Sequence, residues 1–147
     1  VLVDQLVKWW VVSTLPGNPV VLIDGILQLA YVTNSGAAFG LLRGAGSVIA
    51  LVAIVTAVVI VVVLGRLPGR WENIAMGLIL GGALGNLADR LFRGSGFLDG
   101  QVIDFVDFRY FPAFNVADSA ITVGAALIIL LALFRRHTLE IDGADTG

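Results

Sequence analysis

The sequence predicts an all-α membrane bundle of four transmembrane helices, the first cut short in this chain, with a small β element on the extracytoplasmic surface. Three observations predict it. The 147 residues are 58% hydrophobic and only 14% charged, against about 45–50% and about 25% in soluble domains. Apolar runs recur at the length that a bilayer demands. The ionisable and amide side chains that remain gather near the ends of those runs, where each is costly unless it works. A soluble domain of this length could not hide so much apolar surface. One membrane-embedded domain over residues 1–147 is therefore expected.

Composition also excludes chemistry. The formal net charge is −2 with no basic run, so the electrostatic footprint of a nucleic-acid binder is missing and no nucleic acid is expected as a partner. There is no cysteine, hence no disulfide, thiol nucleophile or cysteine-bound metal. The single histidine, His137, lies in a polar tail. No metal and no cofactor are expected.

Taken in order, Val1–Leu15 is apolar but carries Asp4, Gln5 and Lys8 and is too short to cross alone. With Val in first place, it reads as a first span that begins upstream of this sequence. Asp4 and Lys8 interrupt any signal-peptide core; four apart on a helix, they are placed to pair. The Pro16-Gly17-Asn18-Pro19 turn precedes Leu27–Thr33, whose partial alternation and β-branched content predict a short strand. Ser47–Leu64 is an uncharged run and the clearest span. After Gly65–Arg70 a second run extends from Trp71 to about Leu91. Its Gly81-Gly82-Ala83 and Gly85 offer a packing surface, since the Lys-Ser/Thr of a phosphate loop is missing. A last span runs from about Phe114 to Phe134, stops at Arg135-Arg136, and leaves a polar cytoplasmic tail over 138–147. Arg66, Arg70, Arg135 and Arg136 put those ends in the cytoplasm, whereas Pro16–Gly46 holds only Arg43.

The third and fourth spans each carry Asn-x-Ala-Asp at the outer end: Asn86 with Asp89, Asn115 with Asp118. Residues three apart share a helix face, and the spans run in opposite directions, so the two polar pairs should meet at similar depth. The loop between them supplies Asp104 and Asp107, framed by Val, Ile and Phe. Two carboxylates held together share one proton, and such a pair can activate water and protonate a leaving amine without metal, serine or histidine. Asp118 is the best first member. Asp89 precedes Arg90 and suits an ion pair better, and spacing leaves Asp104 and Asp107 open. The bland reading is that Asn115 and Asp118 cap or bridge helices, and that Asp24, Asp99 and Glu72 are solvated.

Five blocks, in order, resemble the type II, or lipoprotein, signal peptidases of bacteria: Asp4-Gln5-x-x-Lys8, Asn34-Ser35-Gly36-Ala37-Ala38-Phe39, Gly81 to Arg90, Val102-Ile103-Asp104-Phe105, and Phe114 to Ile121. The resemblance implies four transmembrane helices with an extracytoplasmic β-cradle in the bacterial inner membrane. It also implies an aspartic endopeptidase whose catalytic pair maps to Asp104 and Asp118. The implied partners are membrane lipid and a prolipoprotein diacylglyceryl-modified on cysteine, cut on the amino side of that cysteine; a monomer is expected. Asn34, Gly36, Asn86, Arg90 and Asn115 match substrate- or inhibitor-lining positions, Asp4, Lys8 and Asp89 supporting ones, and sensitivity to globomycin is implied by analogy. The rival from another class is a small transporter or channel that passes a cation or proton along intramembrane Asp and Asn. It calls for carboxylates near the bilayer midplane.

Overall fold

The computed structural model describes residues 1–36, 46–66, 69–96 and 98–144, with side chains described through Arg135. Along the chain lie α1 (Leu2–Thr14), β1 (Val20–Ile23), β2 (Leu27–Asn34), α2 (Gly46–Val63), α3 (Arg70–Phe92), β3 (Val102–Phe108), β4 (Phe111–Phe114) and α4 (Val116–Ala144). Among the described residues, three helices are long and apolar enough to cross a membrane, over Gly46–Val63, Arg70–Phe92 and Val116–Arg135. The chain is thus a multi-pass membrane protein. At 13 residues α1 is shorter, about 20 Å at about 1.5 Å per residue.

Surface patterning is inverted relative to a soluble bundle. Val48, Leu51, Val55, Val58, Val59, Val61 and Val62 of α2 are exposed, while Ala50, Ala57 and Ile60 face inward. A helix apolar on all sides with its smallest residues at the contact is the membrane pattern. The central helix is α3, which packs on both α2 and α4. Its glycines permit this approach. A Cβ at Gly82 would lie 2.7 Å from the Ile121 side chain, and one at Gly85 would lie 2.8 Å from the Asp4 carboxylate. The packing role expected for this run holds.

The four strands form one antiparallel sheet in the order β1-β2-β3-β4. It sits on the end of α1, where Val11 and Leu15 are buried with Ile103 and Phe105 of β3. The strand expected over Leu27–Thr33 is β2. Val102–Phe108, expected as loop, is instead the most buried strand, paired with β2 on both sides of a register shift. Its carboxylates broke the apolar alternation that would have marked it. The last span also differs. A β4 strand and the cap at Asn115 delay the helix to Val116, and its backbone stays helical beyond Arg135-Arg136 to Ala144, through most of the expected tail. Ala37–Phe39 of the second block, Arg43, and residues 145–147 lie outside the described residues.

Candidate active site

Four elements, β2, β3, α3 and the start of α4, carry the acidic pair and its amides to the sheet end of the bundle. Asp104 lies on β3, where the strand holds it opposite Val32 of β2. Asp118 lies in the first turn of α4. Asn115 precedes that helix and caps it: the Asp118 backbone N–H donates to Asn115 Oδ1 (2.9 Å), and the Asn115 N–H donates to Asp118 Oδ2 (3.2 Å). This reciprocal capping replaces the shared helical face expected for the two residues, because Asn115 stands outside the helix.

Amides hold both carboxylates. Asn86 Nδ2 donates to Asp118 Oδ1 at 2.7 Å, and Asn115 Nδ2 donates to Asp104 Oδ1 at 2.7 Å. Asn34 Nδ2 donates to Asp104 Oδ2 at 3.0 Å, its own Oδ1 being fixed by the Gly36 N–H at 3.0 Å. Asn115 Nδ2 also approaches Asn86 Oδ1 and the Ile103 carbonyl, so the two Asn-x-Ala-Asp segments do meet. Asp104 is 1% exposed. Burial pushes its carboxyl up to about 6, and the charge of Asp118 adds to this, against the opposing amide of Asn34. A carboxyl in that range holds or releases a proton near neutrality, as acid–base work requires.

Strand geometry separates Asp104 from Asp107. Residues three apart on a strand face opposite sides. Asp104 opens into the main cavity with Asp118, while Asp107 accepts from Gln28 Nε2 at 2.7 Å and lines a separate cavity beside Arg109. The main cavity, about 760 Å³, lies between α2, α3, α4 and β4. Its polar end holds Asn34, Gly36, Asn86, Arg90, Asp104 and Asp118; its apolar walls include Val52, Ala53, Ile79 and Ile121. Arg90 is 6% exposed, and its guanidinium reaches the carbonyls of Asn86 and Gly36 only at 3.4 and 3.5 Å.

Asp89 does not enter this cavity, and the ion pair expected with its neighbour Arg90 is not what forms. Adjacent helical residues point about 100° apart. Asp89 pairs instead with Lys8 (2.7 Å) and Arg93 (2.8 Å), and accepts from the Ile103 N–H and Gln5. Lys8 also binds Asp4 at 2.9 Å, as its spacing foretold. Asp4 in turn accepts the Ala117 N–H at the start of α4. Gln5 and Arg93 were missed as site residues, although Arg93 stands four after Asp89 and that spacing could have found it. Asp24 and Asp99 are exposed and Glu72 half-buried, as befits solvated groups.

A family model described as signal peptidase (SPase) II matches residues 1–134. A protein of Rhodococcus jostii named lipoprotein signal peptidase is 47% identical over 98% of this chain and 72% of its own length. Proteins of the same name from Mycobacterium avium and Mycobacterium tuberculosis are 43% identical over 81% of this chain. The chain spans 65% and 59% of their lengths. Among solved structures, a bacterial membrane enzyme determined at 2.3 Å by the in meso method superposes with a TM-score of 0.78 at 31% identity, covering 90% of this chain and 81% of that one. A second, at 1.9 Å, gives 0.74 at 32% identity over 90% of this chain and 86% of that one.

Proposed function

The chain belongs to the signal peptidase II family of aspartic peptidases, and on that premise we propose that it removes signal peptides from diacylglyceryl-modified prolipoproteins, with Asp104 and Asp118 as its catalytic residues. The transporter alternative finds no support among the relatives. The observation that carries the reading is the cavity. Two carboxylates from separate elements open into one space that is polar at the acidic end and apolar beyond it.

In this reading the pair carries one proton between its members. The ionised carboxylate takes a proton from water as the water oxygen attacks the scissile carbonyl carbon. The protonated one donates to the carbonyl oxygen. The tetrahedral intermediate then collapses: one of its hydroxyls returns a proton to the ionised carboxylate as the C=O bond re-forms, the C–N bond breaks, and the leaving nitrogen takes a proton from the protonated carboxyl, which restores the pair's single proton. Asn86, Asn115 and Asn34 hold the carboxylates in place. Arg90, with spare donors at the cavity wall, binds carbonyl oxygens of the substrate backbone or its inhibitor analogue globomycin.

The cavity is bordered by Val52 of α2 and Val123 of α4, both exposed on the lateral surface of the bundle. That border supports entry of the substrate's acyl chains from the bilayer. Their burial contributes about 0.8 kcal/mol per CH₂. Arg66 and Arg70 lie at the end opposite the sheet, which supports an extracytoplasmic active site in the inner membrane by the excess of basic residues on the cytoplasmic side. Trp9 and Trp10 near the sheet end and Trp71 at the other end, all exposed, suit the two interfaces of a bilayer. A monomer holds the whole site. The test is cleavage by the protein reconstituted in lipid, offered lipidated and unlipidated prolipoprotein. Processing confined to the lipidated form and lost in Asp104→Asn and Asp118→Asn supports the proposal; wild-type cleavage by either variant overturns the assignment of the pair.

A further inference from the structure

An asparagine amide can sit in either of two orientations, and only one of them gives a neighbouring carboxylate a donor. Asn86 is the case that matters here. Its Nδ2 donates to Asp118 Oδ1 at 2.7 Å, and its Oδ1 accepts from Lys8 Nζ at 3.0 Å and from Asn115 Nδ2 at 3.1 Å. If the amide turned over, its NH₂ would face an ammonium and another NH₂, while its oxygen faced a carboxylate. Of the two donors that prevent this, Asn115 Nδ2 is shared: its two hydrogens also serve Asp104 Oδ1 at 2.7 Å and the Ile103 carbonyl at 3.2 Å. Lys8 is not shared in that sense. Its three hydrogens meet three acceptors, Asp4 Oδ2, Asp89 Oδ2 and Asn86 Oδ1, at 2.9, 2.7 and 3.0 Å, and its side chain is 0% exposed.

We infer that Lys8 is a positioning residue of the reaction: through Asn86 Oδ1 it locks the Asn86 amide with its NH₂ toward Asp118, and so holds that carboxylate in register with Asp104. The two carboxylates of Asp4 and Asp89 hold the ammonium fixed, so that the lock does not wander. The inference rests on the reading of Asp104 and Asp118 as the catalytic pair. It adds a residue from α1 that lies outside the cavity lining and touches neither carboxylate of that pair.

The experiment is a double-mutant cycle on the full chain reconstituted in lipid, with Lys8→Met, Asn86→Ala and the two combined, following cleavage of a diacylglyceryl-modified prolipoprotein. Thermal midpoints are read beside the kinetics. Because Lys8→Met strips two buried carboxylates of a cation, a second variant, Lys8→Met with Asp4→Asn, restores the local charge balance and leaves the Asp89–Arg93 pair. If the midpoint of Lys8→Met falls, the cycle is read on this variant. The expected result is a loss of about 30-fold in kcat with KM unchanged, and a further loss of under about threefold when the change at Lys8 is made on top of Asn86→Ala. A merely structural lysine would lower the midpoint and leave the kcat of the folded fraction untouched, and that result overturns the inference. So does a loss that multiplies fully with that of Asn86→Ala. Asp104→Asn and Asp118→Asn run alongside: if they cleave normally the catalytic reading itself fails, and if they are dead while the Lys8 variants keep full kcat, only the positioning role fails.

Discussion

Two polar clusters share the sheet end of the bundle, and they differ in how fully their hydrogen-bonding capacity is spent. In the cluster of Asp4, Lys8, Asp89 and Arg93, the lysine uses all three hydrogens. The Asp89 oxygens accept from Lys8, Arg93, Gln5 and the Ile103 N–H. Its two acids and two bases cancel. The cluster around Asp104 and Asp118 is less closed: Arg90 Nε has no partner among the described residues, its other nitrogens make only long contacts, and Asp118 is half-buried. Saturated polar groups fix a structure, whereas unspent ones facing a cavity await a ligand. The first cluster is a brace between α1, α3, β3 and α4, and the second is where the chemistry is proposed to take place.

Substitutions sharpen that contrast. The largest effect is expected in the open cluster: Asp104→Asn or Asp118→Asn lowers the cleavage rate by about 10²- to 10⁴-fold, with a thermal midpoint near that of wild type. In the closed cluster the balance reverses. Asp89→Ala leaves Lys8 and Arg93 short of a buried counter-charge and costs about 3–5 kcal/mol of stability, read by denaturation in lipid or detergent. If Asp89→Ala is silent in stability, the brace is misassigned. Next comes Arg90→Lys, which replaces a planar fork by a point charge and lowers kcat/KM by roughly 10- to 100-fold, equivalent to about 1.5–3 kcal/mol for a charged hydrogen bond, while stability changes little.

The smallest effect is on pH. Asp104 releases its proton through about pH 6 instead of its ordinary 3.8, because burial penalises the charged form. The kcat/KM profile of the free enzyme therefore carries a limb near that value. The Asn34 amide favours the ionised form, so Asn34→Ala moves the limb upward, by roughly one unit or less. Between those two pH values the folded protein binds more protons than the unfolded chain, so Asp104 makes stability fall as pH rises through that window and leaves it flat above. A limb that stays in place in Asn34→Ala breaks the link between the amide and the acid.

Much of this was legible before any coordinates. The apolar runs at Ser47–Leu64 and Trp71–Leu91 became α2 and α3 almost to the residue, since nothing in a bilayer competes with a long uncharged helix. The strand over Leu27–Thr33 followed from its alternation. The convergence of Asn86 with Asp118 followed from antiparallel spans carrying the same motif. Hidden from view was β3, because Asp104 and Asp107 interrupt the alternation that identifies a strand. Hidden with it was the reason that Asp104 and not Asp107 reaches the cavity, namely that the two face opposite sides of the sheet. The pairing of Asp89 with Lys8 depends on where α1 docks, which no local spacing encodes, whereas its pairing with Arg93 follows the four-residue spacing.

Twice in the brace an acid and a base stand four apart: Asp4 with Lys8 on α1, and Asp89 in the last turn of α3 with Arg93, the residue that caps it. An unmatched charge at the centre of a lipid-embedded helix costs about 2.5–3.5 kcal/mol even on translocon scales. Each segment carries its own counterion four residues away. Lys8 reaches across from α1 to Asp89, so the same four residues neutralise charge within each segment and clasp the two segments together.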